Sequence, residues 1–143
     1  MIEFTRWPDD LAARYRARGY WIDAPLTRCL TEQTAQRPDA PAIQCGVRSF
    51  SYAEVERRSD ILAANLRARG LKKGDTALVQ LPNVAEFYLV FFALLKLGVA
   101  PVNALFSHKQ LELRAYAEQL RPALLIASRA HPAFADDGFL AQM

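Results

Sequence analysis

The segment from residue 75 to residue 103 constrains the fold of this chain more than any other. It contains, in order, a short apolar run at 76–81, a long apolar run at 84–97, a glycine at Gly98 and a second short run at 99–103. Short apolar runs of this kind are typical of buried strands, and the longer run is typical of a helix. Strand, helix and strand in this order predict a βαβ unit, in which a right-handed crossover joins two parallel strands.

The long apolar run predicts a helix in the protein core. No charged residue occurs between Glu86 and Lys96. A helix that spans a membrane needs about 20 apolar residues, so this run is too short and we expect no membrane partner. A helix that is apolar on every side is buried on every side.

The same alternation continues after this unit. The pattern predicts a helix over 109–120 and a third strand over 123–127. The predicted fold class is therefore α/β, with βαβ units and a parallel sheet. Parallel sheets are covered on both faces, and three strands rarely provide that cover by themselves. We therefore expect residues 41–143 to form an incomplete α/β subdomain, the N-terminal portion of a larger domain.

A helical segment and a hairpin precede the sheet. The pattern of residues 1–40 predicts a helical segment, with one helix after Pro8 and a second over 26–36. Two short strands at 42–45 and 48–51, separated by a turn that contains a glycine, predict a β-hairpin.

The helix after the hairpin has a clear beginning and end. Ser51 and Glu54 have the spacing of a capping box, in which each side chain accepts a hydrogen bond from the other residue's backbone N–H. The apolar periodicity continues to about residue 69, and Gly70 supplies the left-handed conformation that ends the helix. This pattern predicts a surface helix with one face packed on the sheet.

The composition is that of an ordinary globular protein. The 143 residues, 52% hydrophobic and 23% charged, are enough for one domain with a core. The net charge is +3, but the basic residues of 54–75 are interleaved with Glu54, Glu56, Asp60 and Asp75, as on a solvated helix face and connecting loop, so we expect no nucleic-acid partner. The first residues lack the apolar run of a signal peptide, which favours a cytoplasmic protein. Cys29 is expected to be a small buried side chain.

No catalytic, cofactor-binding or metal-binding motif occurs in the sequence. Neither a GxGxxG loop nor a GxxxxGK[ST] loop is present, and HExxH and GxSxG are also missing. We therefore predict no catalytic, cofactor-binding or metal-binding residue in this chain.

Two polar residues follow a predicted strand and are candidates for a position near a ligand. Asn103 ends the second strand and His108 follows it, at the edge where α/β sheets bind their ligands. Structural roles are the alternative: Ser107 or His108 caps the next helix, Asn83 caps the apolar helix, and Asn103 fixes a loop. His131 precedes a proline in a polar stretch, and we expect it to be exposed.

Several motifs resemble those of the adenylate-forming superfamily, which includes acyl-CoA synthetases, peptide-synthetase adenylation domains and luciferases. They are FSYAE at 50–54, GLKKGD at 70–75 and LLKLGVAPVN at 94–103. Within the superfamily, four further stretches are similar to those of 2,3-dihydroxybenzoate–AMP ligases of siderophore assembly. These are FTRWP at 4–8, RGYW at 18–21, LVQL at 78–81 and ALFSH at 104–108.

The resemblance implies that the chain is the N-terminal fragment of an aryl-acid–AMP ligase. Such an enzyme uses ATP and Mg²⁺ to convert an aryl acid to its acyl adenylate, and then loads the aryl group on an aryl carrier protein. The family's phosphate loop, acid pocket and C-terminal lysine lie downstream, so the resemblance implies no cofactor and no adenylation for this chain alone. A salicylate–AMP ligase, a non-catalytic α/β binding module and a standalone small-ligand domain are the alternatives.

Overall fold

A computed structural model of the chain describes residues 5–134 and 138–141. Phe4 of the FTRWP motif, residues 1–4 of the predicted segment 1–40, and residues 135–137 and 142–143 of the predicted segment 41–143 lie outside the described residues. The helices and strands, in chain order, are α1 (Asp9–Ala17), α2 (Arg28–Gln36), β1 (Pro41–Cys45), β2 (Arg48–Ser51), α3 (Tyr52–Ala68), β3 (Thr76–Gln80), α4 (Ala85–Leu97), β4 (Ala100–Asn103), α5 (Gln110–Leu120), β5 (Leu124–Ala127), a 3-10 turn (Pro132–Phe134) and the short α6 (Gly138–Ala141).

The predicted α/β fold with a parallel sheet is confirmed. The strand order is β4-β3-β5, and β3 pairs in parallel with both neighbours. Leu78 lies opposite Val102 on one side and Leu125 on the other. The hairpin of β1 and β2 is a separate antiparallel sheet.

The central strand β3 is buried on both faces because its side chains alternate between two apolar clusters. Ala77 and Val79 pack with the buried faces of α3 and α4. Leu78 faces the opposite way and packs with Leu113 of α5 and Phe134. All five residues of the strand are buried, so β3 joins the two halves of the core.

The capping box at the start of α3 is present as predicted. The Ser51 hydroxyl accepts a hydrogen bond from the Glu54 N–H at 3.3 Å, and the Glu54 carboxylate accepts one from the Ser51 N–H at 2.9 Å. Phe50 and Val55, on either side of the cap, are buried in one cluster, which is the arrangement of a hydrophobic staple. Gly70, after the helix, has a φ of 97°.

Helix α4 differs from its prediction in its cap and in its burial. Its N-cap is Val84, without a side-chain hydrogen bond, and Asn83 is exposed, so the predicted Asn83 cap was wrong. One face is buried, while Phe87 and Phe91 are half-buried and Tyr88 is exposed. Within the described residues, the helix is therefore covered on one side only. None of the described helices combines the length and the apolar character that crossing a membrane requires.

His131 and Cys29 lie in environments opposite to those predicted. His131 is 4% exposed, packs edge-on against Phe106 at 4.9 Å, and its Nδ1 accepts the N–H of Ala133 at 3.2 Å. The 3-10 turn that follows folds this imidazole inward, so its prediction as an exposed residue was wrong. Cys29 is exposed, because α2 is a short surface helix whose one buried residue is Leu30.

The first helix carries a small aromatic cluster of its own. The rings of Trp7, Tyr15 and Trp21 lie 5.5 to 5.8 Å apart, edge to face. In the same segment, Arg16 Nε forms an ion pair with the Asp23 carboxylate at 2.7 Å. Both partners are largely exposed, so the aromatic contacts stabilise this segment more than the ion pair does.

Replacing Ser51 by alanine tests the capping box. Ser51→Ala removes the acceptor for the Glu54 N–H, and we expect a loss of about 1 kcal/mol in the free energy of unfolding. Urea titration followed by circular dichroism measures it. Ser49→Ala is the matched control, because Ser49 is an exposed residue of the adjoining strand. Equal effects of the two substitutions would contradict the cap.

Replacing His131 tests its burial. His131→Ala removes the acceptor for the Ala133 N–H and the contact with Phe106, so we expect a loss of roughly 1 to 3 kcal/mol of unfolding free energy. His131→Asn retains an acceptor and is expected to lose less. His108→Ala is the control at a half-buried histidine. A loss below about 0.5 kcal/mol for His131→Ala would match an exposed loop residue instead.

Candidate functional site

The candidate site is the edge of the sheet where the parallel strands end. Gln80, Asn103 and Ala127 are the last residues of β3, β4 and β5, and parallel strands place these residues at one edge. Ligands of open α/β sheets bind outside the carboxyl ends of the strands. The loop that follows β4, residues 104–108, covers part of this edge.

Gln80 anchors that loop. Its side chain is fully buried, and Nε2 donates hydrogen bonds to the carbonyl oxygens of Leu105 at 3.1 Å and His108 at 2.7 Å. Because only the amide nitrogen can donate to a carbonyl, these two contacts fix the orientation of the amide. The other amide atom, Oε1, is buried and has no hydrogen-bond partner among the described residues.

His108 is half-buried and its ring is held by α5. Its Nδ1 lies 3.3 Å from the Tyr116 hydroxyl, and the two rings lie 5.7 Å apart. Within the described part of the chain, Nε2 of this ring forms no hydrogen bond.

Neither Ser107 nor His108 caps α5, so that prediction was wrong. The N-cap is Lys109, whose backbone N–H donates to the Glu112 carboxylate at 3.0 Å. Hydrogen bonds from the backbone N–H groups of Glu112 and Lys109 hold the pKa of the Glu112 carboxyl below its ordinary value. The glutamate satisfies the helix start from within the first turn, and the His108 imidazole is therefore left to contact Tyr116.

Asn103 lies at the same edge but separately. Its backbone pairs with Val79 in the sheet, and its side chain is exposed. Among the described residues, no hydrogen bond joins this side chain to another group, so the predicted loop-fixing role of Asn103 is not seen. The structure brings His108 together with Gln80 and Tyr116, and it leaves Asn103 facing solvent.

Gln80 was not a candidate in the sequence analysis. The available signal is its position: a polar residue ends a strand whose preceding three residues, Ala77, Leu78 and Val79, are apolar and buried. A buried polar side chain requires hydrogen-bond partners. A glutamine at the end of such a strand is therefore a candidate anchor for the adjacent loop.

The larger grooves lie away from this edge. One, of about 450 Å³, is at the opposite end of the sheet between residues 74–76 and 118–123. Another, of about 460 Å³, is apolar and lies between α2, β1, α3 and α4. Neither is lined by Gln80, Asn103 or His108. A smaller cavity of about 140 Å³ lies beside Ala127 at the carboxyl edge and is lined in part by Ser128 and Phe134.

The described residues at the carboxyl edge of the sheet do not fit a site for ATP and magnesium. No group of three or more His, Cys, Asp or Glu side chains in the described part of the chain is placed to hold a metal ion. Hard cations such as Mg²⁺ take oxygen ligands, commonly carboxylates together with substrate phosphates. The edge presents an amide and an imidazole instead, and the sequence has no glycine-rich phosphate loop.

Three curated relatives show what the chain is similar to. It is 60% identical to pseudomonine synthase PmsE of Pseudomonas entomophila, over 97% of the chain and 23% of that protein. It is 58% identical to enterobactin synthase component E of Escherichia coli, over 97% of the chain and 26% of that protein. It is 40% identical to the 2,3-dihydroxybenzoate–AMP ligase of Bacillus subtilis, over 92% of the chain and 24% of that protein. The chain thus spans about a quarter of the length of these relatives.

A solved structure and a family match agree with these relatives. The apo structure of MbtA from Mycobacterium smegmatis superposes with a TM-score of 0.87 at 38% identity, over 92% of this chain and 25% of MbtA. Residues 30–141 match the family described as "AMP-binding enzyme". That match covers most of the chain, and it includes the hairpin, the parallel sheet and the edge that carries Gln80 and His108. The chain belongs to the AMP-binding enzyme family.

Proposed function

We propose that this chain is part of an aryl-acid–AMP ligase that activates 2,3-dihydroxybenzoate. The observation that carries the proposal is the similarity along nearly the whole chain to a 2,3-dihydroxybenzoate–AMP ligase and, at higher identity, to an enterobactin synthase component. The superposition on MbtA supports it, because the same strands and helices recur in the same arrangement.

The proposed reaction has two steps. An oxygen of the aryl carboxylate attacks the α-phosphorus of ATP, the bond to the pyrophosphate breaks, and an aryl adenylate forms. The thiol of a carrier-protein phosphopantetheine then attacks the carbonyl carbon and loses its proton, and AMP leaves. Mg²⁺ offsets the charge of the phosphates, and fixed hydrogen-bond donors stabilise the charge that develops at the reacting atoms.

In this proposal, the described residues contribute the scaffold of the ligand-binding edge. They include no glycine-rich phosphate loop and no group of three or more side chains placed to hold a metal ion, so we propose that other parts of the enzyme hold ATP and Mg²⁺. We also propose that residues 1–40 are an N-terminal helical segment and that 41–143 belong to the large AMP-binding domain. Because ATP is the co-substrate, we place the enzyme in the cytoplasm.

We further propose that Asn103 and His108 lie near the bound ligand without taking part in the chemistry. Asn103 ends a strand at the edge with an exposed amide. His108 is half-buried at the same edge, and its Nδ1 contacts the Tyr116 hydroxyl. Either side chain can form a hydrogen bond to a carboxylate, a phosphate or the connecting loops of the same site.

Adenylation is tested by ATP–pyrophosphate exchange with the complete gene product that contains this chain. We expect exchange that depends on 2,3-dihydroxybenzoate, weaker exchange with salicylate and none with an aryl acid that carries no hydroxyl group. Stronger exchange with salicylate would assign the enzyme to salicylate instead. No exchange with any aryl acid would contradict the proposed function.

The same assay tests where the chemistry resides. The 143-residue chain alone is expected to give no exchange, because its described residues do not form a triphosphate or metal site. Circular dichroism of the same sample establishes that the chain is folded when it is assayed. Exchange by the isolated 143 residues would overturn the assignment of the catalytic groups to other parts of the enzyme.

Two substitutions test the ligand-proximal residues. Asn103→Ala and His108→Ala each remove one hydrogen-bonding group at the edge, and we expect KM for the aryl acid or ATP to rise about threefold to tenfold. Steady-state kinetics of the complete gene product measure the change. Asn65→Ala, at an exposed position of α3, is the control. Unchanged KM values in both variants would exclude a position near the ligand.

A further inference from the structure

We propose that Gln80 is a positioning residue, which fixes the loop 104–108 and, through it, His108 at the carboxyl edge of the sheet. The proposal about the loop rests on the contacts of Gln80 alone. Its consequence for substrate binding rests on the proposed function.

The two hydrogen bonds of Gln80 clamp both ends of one turn. The His108 N–H donates to the Leu105 carbonyl at 3.0 Å, which closes a four-residue turn. The Gln80 amide nitrogen lies beneath this turn and donates to the carbonyls of the same two residues, at 3.1 and 2.7 Å. A single side chain of the central strand thereby binds the first and last residues of the turn. We call these two hydrogen bonds of Gln80 the clamp.

A buried glutamine at this position lowers the stability of the fold unless its two hydrogen bonds offset the burial of its amide. Its amide is fully buried, and its oxygen is left without a hydrogen bond among the described residues. Burying an unpaired polar atom is unfavourable, and a leucine or methionine in the strand would avoid this loss. The neighbours Ala77, Leu78 and Val79 show that β3 otherwise contains apolar residues here. The clamp on the turn is the gain that offsets the unpaired oxygen.

The clamp determines where the His108 ring lies. Gln80 holds the backbone carbonyl of His108, and the Tyr116 hydroxyl holds its Nδ1 at 3.3 Å. These contacts come from β3 and α5, so the residue is fixed from two elements. Fixing a side chain before a ligand arrives lowers the entropy that binding must oppose.

Hydrogen–deuterium exchange tests the clamp directly. In the complete gene product, Gln80→Met keeps the side-chain length but removes both donors, and we expect exchange of the amides of 104–108 to become at least about tenfold faster. Amides of α4 are expected to change much less. Gln44→Met is the matched control, because it removes an amide-to-carbonyl bond, to Gly46, at an exposed position. Unchanged exchange in the loop would overturn the proposal.

Replacement by glutamate gives a pH-dependent version of the same test. The carboxyl of Gln80→Glu would face two carbonyl oxygens in a buried site, and both effects raise its pKa above the ordinary value of about 4.3. The protonated acid can donate one hydrogen bond, whereas the carboxylate can donate none. Loop protection in this variant is therefore expected at low pH and lost as pH rises through the raised pKa.

The wild-type protein measured over the same pH range is the reference for Gln80→Glu. It contains the other titratable groups of this region, among them His108, Tyr116, Glu112 and Lys109 on the α5 side, His131 beside Phe106, and Arg129 after β5. Protection factors, which are corrected for the intrinsic pH dependence of exchange, are compared. Equal pH dependence in the variant and the wild type would contradict the clamp.

Kinetics connect the clamp to function. If the loop positions a group near the ligand, Gln80→Met raises KM for at least one substrate about tenfold, and kcat changes less than about threefold. A faster-exchanging loop with unchanged KM values would overturn the functional part of the proposal and leave the clamp intact. If the wild-type protein does not adenylate any aryl acid, the proposed function fails, and the exchange experiments still decide the role of Gln80.

Discussion

The fold depends on the burial of one strand. β3 is hydrogen-bonded to β4 on one side and β5 on the other, and the side chains of Ala77, Leu78 and Val79 are at most 1% exposed. Each fully buried leucine or valine contributes roughly 1.5 to 3 kcal/mol. Because successive residues face opposite clusters, this strand fixes the position of α4 on one face and α5 on the other.

Charged contacts orient the helices around this strand but contribute less energy. Lys96 of α4 is 13% exposed and lies 3.1 Å from the Glu56 carboxylate and 2.7 Å from that of Asp60, both on α3. Desolvation offsets much of the attraction in such a pair, and one Glu56 oxygen is buried without a partner among the described residues. The apolar contacts of α3 with α4 therefore supply the stability, and Lys96 fixes how the two helices are aligned.

The sequence was sufficient to predict features that depend on neighbouring residues, and insufficient for those that depend on distant ones. The capping box at Ser51 and the glycine stop at Gly70 follow from local backbone chemistry, and both are present. The burial of His131 depends on Phe106, which contacts it only after the chain has folded. The role of Gln80 likewise depends on a loop beyond the next helix and strand. Apolar periodicity gives the faces of helices and strands but does not give these contacts.

The polar groups at the carboxyl edge are directed mainly at the protein itself. The Gln80 amide binds backbone carbonyls, the Glu112 carboxylate binds backbone N–H groups, and the Tyr116 hydroxyl contacts the His108 ring. A reaction that needs charge stabilisation at a phosphate requires donors that point outward and are already fixed. Among the described residues of this edge, the exposed Asn103 amide and the His108 Nε2 form no hydrogen bond to the protein. The contribution to a ligase that we propose for this chain is therefore geometric: a buried strand positions a loop, and the loop positions the ring.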